Sequence, residues 1–252
     1  MKVLVVCKEQ HEKHPEIHKI LEESGLDAVY AWKNTLSADG IKGKDIDFVI
    51  SIGGDGTALS ASHFLEEKPL LTVNLSPESS VGALTTLAVD NLAEKLAEIK
   101  SGKFKTEKLE RIDVKINGKN AEHPALNDVF VASEKAYHIS KYKIKFNGKE
   151  ETQNSSGLIF STGTGSTAWF KSAGGAPFSP QARFIRMIVR EPYKGKQNEF
   201  SLKNIQINEN EEIEIIPFVK SILAVDSIRE YSLNAGDSIK IKISKNALRR
   251  II

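Results

Sequence analysis

Two short stretches of this sequence combine glycine with carboxylate or hydroxyl side chains at spacings that suit phosphate and sugar chemistry. The first is Gly53-Gly54-Asp55-Gly56-Thr57, which follows the apolar run 47–52 without a break. Glycines let a backbone turn sharply, and without a Cβ the N–H groups approach phosphate oxygens closely. A helix starting after the turn adds the positive end of its dipole. The glycine backbone of this turn can therefore come close to phosphate oxygens. Asp55 cannot bind phosphate directly, because like charges repel. Its chemistry is that of a base receiving a hydroxyl proton, or of a contact to phosphate-bound Mg²⁺. The same tetrad also fits a plain tight turn in which Asp55 caps the helix.

The second stretch runs from Ser161 through Thr162, Gly163, Thr164, Gly165, Ser166, Thr167 and Ala168 to Trp169, after the strand-like 157–160. Its hydroxyls and bare backbone suit phosphate, ribose and amide groups, and Trp169 can offer a face or edge to a flat ring. The plainer alternative is a loop whose hydroxyls bond their own backbone, with Trp169 in the core. Between the two stretches, Asn127-Asp128 interrupts an apolar run from Ala125 to Val131. A buried polar pair needs partners, which a ribose diol or a nicotinamide amide would supply; an exposed strand end or bulge would also account for it. His11, His14 and His18 invite a metal reading, since His14 and His18 share a helical face. No carboxylate accompanies them at the spacing of a zinc peptidase, and a solvated helix face explains them better.

The elements that must position these residues change in character near residue 105. Before it, strand-like runs (2–7, 47–52, 70–75) alternate with helical spacing. Ile17, Ile20 and Leu21 form one apolar side, stopped by Gly25. Residues 57–65 can be helical. Leu92, Leu96 and Ile99 form another side, with Asp90 as the cap and Gly102 as the stop. Alternating strands and helices imply a parallel sheet covered on both faces. Beyond Lys105, alternation of period two takes over: Tyr142, Ile144 and Phe146 against Lys141, Lys143 and Lys145, then Ile205 with Ile207, Ile213 with Ile215, and Ile239, Ile241 and Ile243. Asn117-Gly118 and Asn147-Gly148 are hairpin-turn dipeptides. The expectation is an α/β domain over 1–104 and a β-rich domain over 105–252, with the last residues able to return to the first domain.

The 252 residues carry 35 Lys and Arg against 33 Asp and Glu, a balance without the basic stripe of a polynucleotide binder. Cys7 is the single cysteine, so a disulfide within the chain and a multi-cysteine metal site are both excluded. The apolar run 3–7 is too short for a signal core or a membrane span, and no later stretch approaches that length. A cytoplasmic protein that does not engage nucleic acid or membrane is expected.

Together, Gly53–Thr57, Asn127-Asp128 and Ser161–Trp169 resemble the NAD kinase family in order and approximate spacing, a likeness that runs through most of the chain. Diacylglycerol-type lipid kinases and phosphofructokinases share the glycine-aspartate turn, whereas the hydroxyl-rich stretch is far more particular to NAD kinases. Asn74 with Ser76-Pro77 and Gly82, Ser155-Ser156-Gly157-Leu158, and Thr162-Gly163-Thr164-Gly165 ending in Trp169 resemble the mitochondrial-type branch and its bacterial relatives. The commoner branch has aspartate for Ser156, proline for Gly163 and tyrosine for Trp169, and the missing aspartate at 156 bears on the acceptor contacts.

The resemblance implies a Rossmann-like α/β domain plus a β-rich domain, with the active site in the cleft between them. It implies Asp55 as the base toward the 2′-hydroxyl of the adenosine ribose, and Gly53, Gly54, Gly56 and Thr57 on the donor phosphates. Asn74, Asn127, Asp128, Thr162, Thr164, Gly165, Ser166, Thr167, Ala168, Trp169 and Ser172 would line the NAD(H) site. ATP or polyphosphate would be the donor. Mg²⁺ or another divalent metal would arrive on the donor phosphates rather than on protein ligands, and a homodimer or homotetramer is implied. A lipid kinase and a non-catalytic NAD(P)-binding sensor are the alternatives. No amphipathic basic helix supports the first, and the retained Asp55 speaks against the second.

Overall fold

The computed structural model describes residues 1–8, 14–36, 45–76, 78, 82–195 and 200–252. The chain divides into two units, Met1–Lys108 together with Leu248–Ile252, and Leu109–Ala247.

The first unit is built on a seven-stranded sheet. Five of its strands are β1 (Lys2–Cys7), β2 (Asp27–Trp32), β3 (Phe48–Gly53), β4 (Leu70–Asn74) and β5 (Leu87–Ala88), and β6 (Thr106–Leu109) forms one edge. The order is β2-β1-β3-β4, then the late strand Leu248–Ile251, then β6, with β5 beside β4. The pairings among β1 to β5, and of the late strand with β4, are parallel. β1, β3 and β4 are mostly apolar and almost wholly buried, because both faces of the sheet are covered. Helix α1 (His14–Glu23) buries Ile17 and Leu21, and α2 (Asp55–Ser62) starts directly from the glycine turn. Helix α3 (Leu92–Lys100) buries Leu92, Leu96 and Ile99. Asp90 does not cap it. A 3-10 turn over Val89–Asn91 leads in, and Asn91 stands at the cap position without a side-chain bond.

The second unit is a sandwich of two six-stranded sheets. Its strands are β7 (Ile112–Ile116), β8 (Lys119–Asn120), β9 (Asp128–Ser133), β10 (Ser140–Phe146), β11 (Lys149–Ser155), β12 (Leu158–Ser161), β13 (Phe184–Val189), β14 (Asn204–Asn208), β15 (Ile213–Pro217), β16 (Ser221–Val225), β17 (Arg229–Leu233) and β18 (Ile239–Ile243). One sheet runs β11-β10-β15-β18-β7-β8 and the other β14-β13-β12-β9-β16-β17. The inward residues of both meet in one core, including Tyr142, Ile144, Ile213, Ile241, Val131, Phe160, Met187 and Leu223. Asn117-Gly118 and Asn147-Gly148 turn the hairpins β7–β8 and β10–β11 with positive φ at all four residues, as the dipeptides require. A short helix α4 (Trp169–Ser172) follows the hydroxyl-rich segment. Its Phe170 packs on Ile159 and Ile188, which point away from the sandwich core.

Candidate functional site

In the first unit, β3 delivers Gly53 at its end and α2 begins two residues later. Gly53 has φ +155°, and a Cβ there would stand 2.4 Å from Thr57 Oγ1, so no other residue fits this turn. The Thr57 N–H closes onto Gly54 O at 2.8 Å, and Thr57 itself is buried. Gly54 is the helix cap and Gly56 is exposed. The Lys33 ammonium hangs over Gly56, 3.5 Å from where a Cβ would be, and places a cation beside the turn.

Asp55 is not a free carboxylate. Its Oδ1 accepts the Leu84 N–H (3.0 Å), the Thr85 N–H (3.1 Å) and the Thr85 hydroxyl (3.0 Å), while Oδ2 accepts the Ala83 N–H at 3.0 Å. A carboxylate has about four lone-pair sites. Oδ2, carrying one bond, is the oxygen left with room for a further proton. The turn that clamps Asp55 is itself braced. Arg250 donates from Nη1 to Leu84 O at 3.0 Å and from Nε to Glu107 Oε1 at 2.6 Å, and its Nη2 contacts the same carboxylate. Asn74, expected on the acceptor, spends its amide on this brace. Its Nδ2 donates to Thr85 O (3.3 Å) and its Oδ1 accepts the Ser76 N–H (3.0 Å).

In the second unit, strand pairing brings together residues far apart in sequence. Ser161 at the end of β12 faces Asp128 at the start of β9, and Val225 at the end of β16 faces Val129. Ser161-Thr162, Asn127-Asp128 and Asp226 therefore share one rim of the sheet. Asp226 sits in a left-handed turn with Ser227 (φ 52° and 53°) and gathers the rim. Its carboxylate accepts the N–H groups of Leu126 (2.7 Å), Asn127 (2.7 Å) and Asp128 (2.9 Å).

Thr162 closes the loop from the other side. Its hydroxyl donates to Leu126 O at 2.6 Å and accepts the Gly165 N–H at 3.2 Å. Gly165 passes so close to Asn127 that a Cβ would lie 2.3 Å from the Asn127 carbonyl oxygen. Ser166 donates to Gly163 O (2.7 Å) and accepts the Phe178 N–H (3.1 Å). Thr162, Gly165 and Ser166 thus build the rim.

Two atoms on that rim have no partner. Asn127 Oδ1 and Thr164 Oγ1 are buried without a hydrogen bond among the described residues. Buried polar atoms are seldom left so, and a ligand hydroxyl or amide is a ready explanation. Asp128 is buried beside them. Burial first, and the like charge of Asp226 second, push its carboxyl up to about 7. Thr167, Ala168 and Ser172 are exposed. Trp169 lies 4.6 Å from Phe130, centroid to centroid, with the Arg190 guanidinium 5.6 Å over its ring. Part of its aromatic surface is therefore already engaged.

Of the histidines, His18 stacks on Tyr30 at 5.2 Å and stands 3.4 Å from Glu22, and His11 lies outside the described residues. Among the described residues no group of three or more His, Cys, Asp or Glu side chains converges on a point, and no helix is long and apolar enough to cross a membrane. With most of the Asp55 carboxylate taken by N–H and O–H donors, a divalent ion here would be carried mainly by phosphate oxygens and water, as Mg²⁺ commonly is. Thr85, Arg250 and Asp226 were not anticipated from the sequence. The only signal was for Asp226: a polar Asp-Ser pair between two alternating runs.

Comparison with known proteins gives the family. Residues 3–104 match the model of the ATP-NAD kinase N-terminal domain, and residues 126–252 that of the ATP-NAD kinase C-terminal domain. The chain is 31% identical over 212 residues to an NAD kinase of Methanopyrus kandleri, covering 83% of this chain and 74% of that protein. It is 30% identical over 217 residues to an NAD kinase of Thermoplasma acidophilum, covering 82% and 76%. The fold superposes with a TM-score of 0.81 on the crystal structure of an NAD kinase from Archaeoglobus fulgidus in complex with ATP, at 24% identity over 99% of this chain and 93% of that one.

Proposed function

The chain belongs to the NAD kinase family, and from that premise we propose that it moves the terminal phosphoryl group of ATP onto the 2′-hydroxyl of the adenosine ribose of NAD(H), giving NADP(H). The observation that carries this reading is Asp55: a carboxylate at the carboxyl end of a buried parallel strand, inside a glycine turn, oriented by four hydrogen bonds. Phosphoryl transfer asks little covalent chemistry of a protein and much positioning. Gly53, Gly54 and Gly56 offer backbone to the donor phosphates, and Lys33 offsets their charge. Asp55 Oδ2 keeps a lone pair for the acceptor's 2′-hydroxyl proton while its other bonds prevent it from swinging away. Asn127 Oδ1, Thr164 Oγ1 and Asp128 take the polar edges of the dinucleotide, and Trp169 takes a flat ring at its free edge. A divalent ion bound on the donor phosphates would neutralise charge on the transferring group.

Polyphosphate in place of ATP, a homodimer or homotetramer, and a cytoplasmic setting that keeps Cys7 reduced belong to the same proposal. Within the family we assign the chain to the mitochondrial-type branch and its bacterial relatives on Ser156, Gly163 and Trp169. The test is a purified-protein assay crossing ATP, GTP and polyphosphate with NAD and NADH, with Mg²⁺ present, and detecting product with an NADP-specific dehydrogenase. NADP(H) formed from ATP is the expected result. Absence of product with every pair would refute the reading.

A further inference from the structure

In the first unit the chain passes from β1 outward to β2 and then returns to β3 on the other side of β1. At such a reversal the loops leave in opposite directions, and α/β sheets open a ligand crevice beyond the carboxyl ends of the strands. A cavity of ≈ 240 Å³ lies there, lined by Cys7 from the end of β1, Ile52 from the end of β3, Ala31 and Trp32 from the end of β2, and His14 and Ile17 from α1. Its walls are chiefly apolar and rich in rings, with His14 and Trp32 at 6.0 Å between centroids. Trp32 is 46% exposed, an indole at the mouth with a free surface. The volume is below that of pockets for drug-sized ligands, about 300–1,000 Å³, and suits a single flat ring system.

Two sequence neighbours tie this cavity to the glycine turn. Ile52 directly precedes Gly53, and Lys33 directly follows Trp32 with its ammonium beside Gly56. A molecule with a planar base at one end and phosphates at the other can thus lie along one surface of the unit. We propose that this cavity receives the purine ring of the phosphoryl donor, stacked on Trp32, with Lys33 on its phosphates. The inference rests on the kinase reading above and adds the donor's base to it. Because the lining is mostly apolar, recognition comes from stacking and shape, and discrimination between purines is weak.

Two measurements test it. Trp32→Ala should raise the KM for ATP about tenfold, within the usual cost of losing a base-stacking ring, and leave the KM for NAD unchanged. Binding of inorganic tripolyphosphate, which has no base, should not change. In the unaltered protein Cys7 is the only thiol and lines the cavity, so it reports occupancy directly. Burial pushes that thiol up to about 11, so labelling with methyl methanethiosulfonate at pH 9 is slow enough to follow. ATP should slow it severalfold and tripolyphosphate should not.

An unchanged ATP KM in Trp32→Ala, or equal protection by ATP and tripolyphosphate, overturns the assignment of the cavity. If NADP still forms in that case, the kinase reading survives without it. Protection of Cys7 by ATP alone in a protein that forms no NADP would keep the cavity and sink the kinase reading.

Discussion

Replacing Asp226 by Asn tests the polar rim of the second unit most sharply. The wild-type carboxylate accepts three buried N–H groups, from Leu126, Asn127 and Asp128. Asparagine keeps one oxygen, which serves the N–H groups of Asn127 and Asp128 as a neutral acceptor. Its amide then confronts the Leu126 N–H, donor against donor. One charge-assisted bond is lost and two are roughly halved, a cost of about 3–4 kcal/mol.

A second effect has the opposite sign. The carboxyl of Asp128 rises from 3.8 to about 7, through burial and then through the charge of Asp226. A carboxyl raised on folding favours the native state while protonated. Its contribution is full below about pH 4 and fades as pH climbs toward 7, so wild-type stability declines across that window. Without the charge at 226 the decline is shallower. Asp226→Asn should therefore cost more at pH 5, where Asp128 is neutral in both proteins, than at pH 8, where a repulsion is relieved, by on the order of 1 kcal/mol. Urea denaturation at the two pH values measures this, and the KM for NAD should rise at least tenfold as Asn127 loses its hold. A stability within about 0.5 kcal/mol of wild type, the ordinary range of a surface substitution, or a greater cost at pH 8, would refute the clamp.

Asp55→Asn should lower kcat by about 10²–10⁴, the usual worth of a general base. ATP affinity measured by calorimetry should stay within a few fold, and near-normal turnover would remove Asp55 from the role. Arg250→Met made together with Glu107→Gln, so that no carboxylate is left without its partner, should reduce kcat about tenfold with the KM for NAD unchanged. In an Asp55→Asn background the same pair should have little further effect on kcat, since coupled groups are not additive; full additivity would show that Arg250 acts elsewhere. Gly163→Ala sets a Cβ 1.9 Å from the Ser179 carbonyl oxygen. Thermal denaturation should record a loss of about 1–3 kcal/mol as the neighbouring segment gives way, and an unchanged midpoint would mean the segment moves freely.

The parts of the fold that rest on local pattern were legible in the sequence. Period-two alternation in Tyr142, Ile144 and Phe146 becomes β10, and the Asn-Gly dipeptides become its hairpin and that of β7. The glycine turn after an apolar run becomes a strand end followed by a helix. What escaped is set by distant partners or by weak burial. β2 is an edge strand with no fully buried residue, so its apolar signal was lost. Asp90 has the chemistry of a cap, but a 3-10 turn moves the helix start past it. Asp226 acts on groups about 100 residues away, and Arg250 on Leu84 lies 166 away. No window of sequence joins such pairs. Their contact exists only once strands β9 and β16, or β4 and the late strand, lie side by side.

The late strand also says how the molecule is divided. The Ile252 N–H reaches Lys105 O at 3.0 Å while Arg250 meets Glu107, so numbering climbs along one strand as it falls along its neighbour. Residues 109 to 247 consequently leave and re-enter the seven-stranded sheet at adjacent points, where an ordinary β-hairpin would have its tip. A short Asn-Gly linker across that gap would make a continuous polypeptide of the first unit and retain the arginine that steadies the aspartate's turn. The excised half, with its two ends as neighbours, could be closed into a ring or reopened at another loop. Each half then becomes an object whose ligand can be measured in isolation.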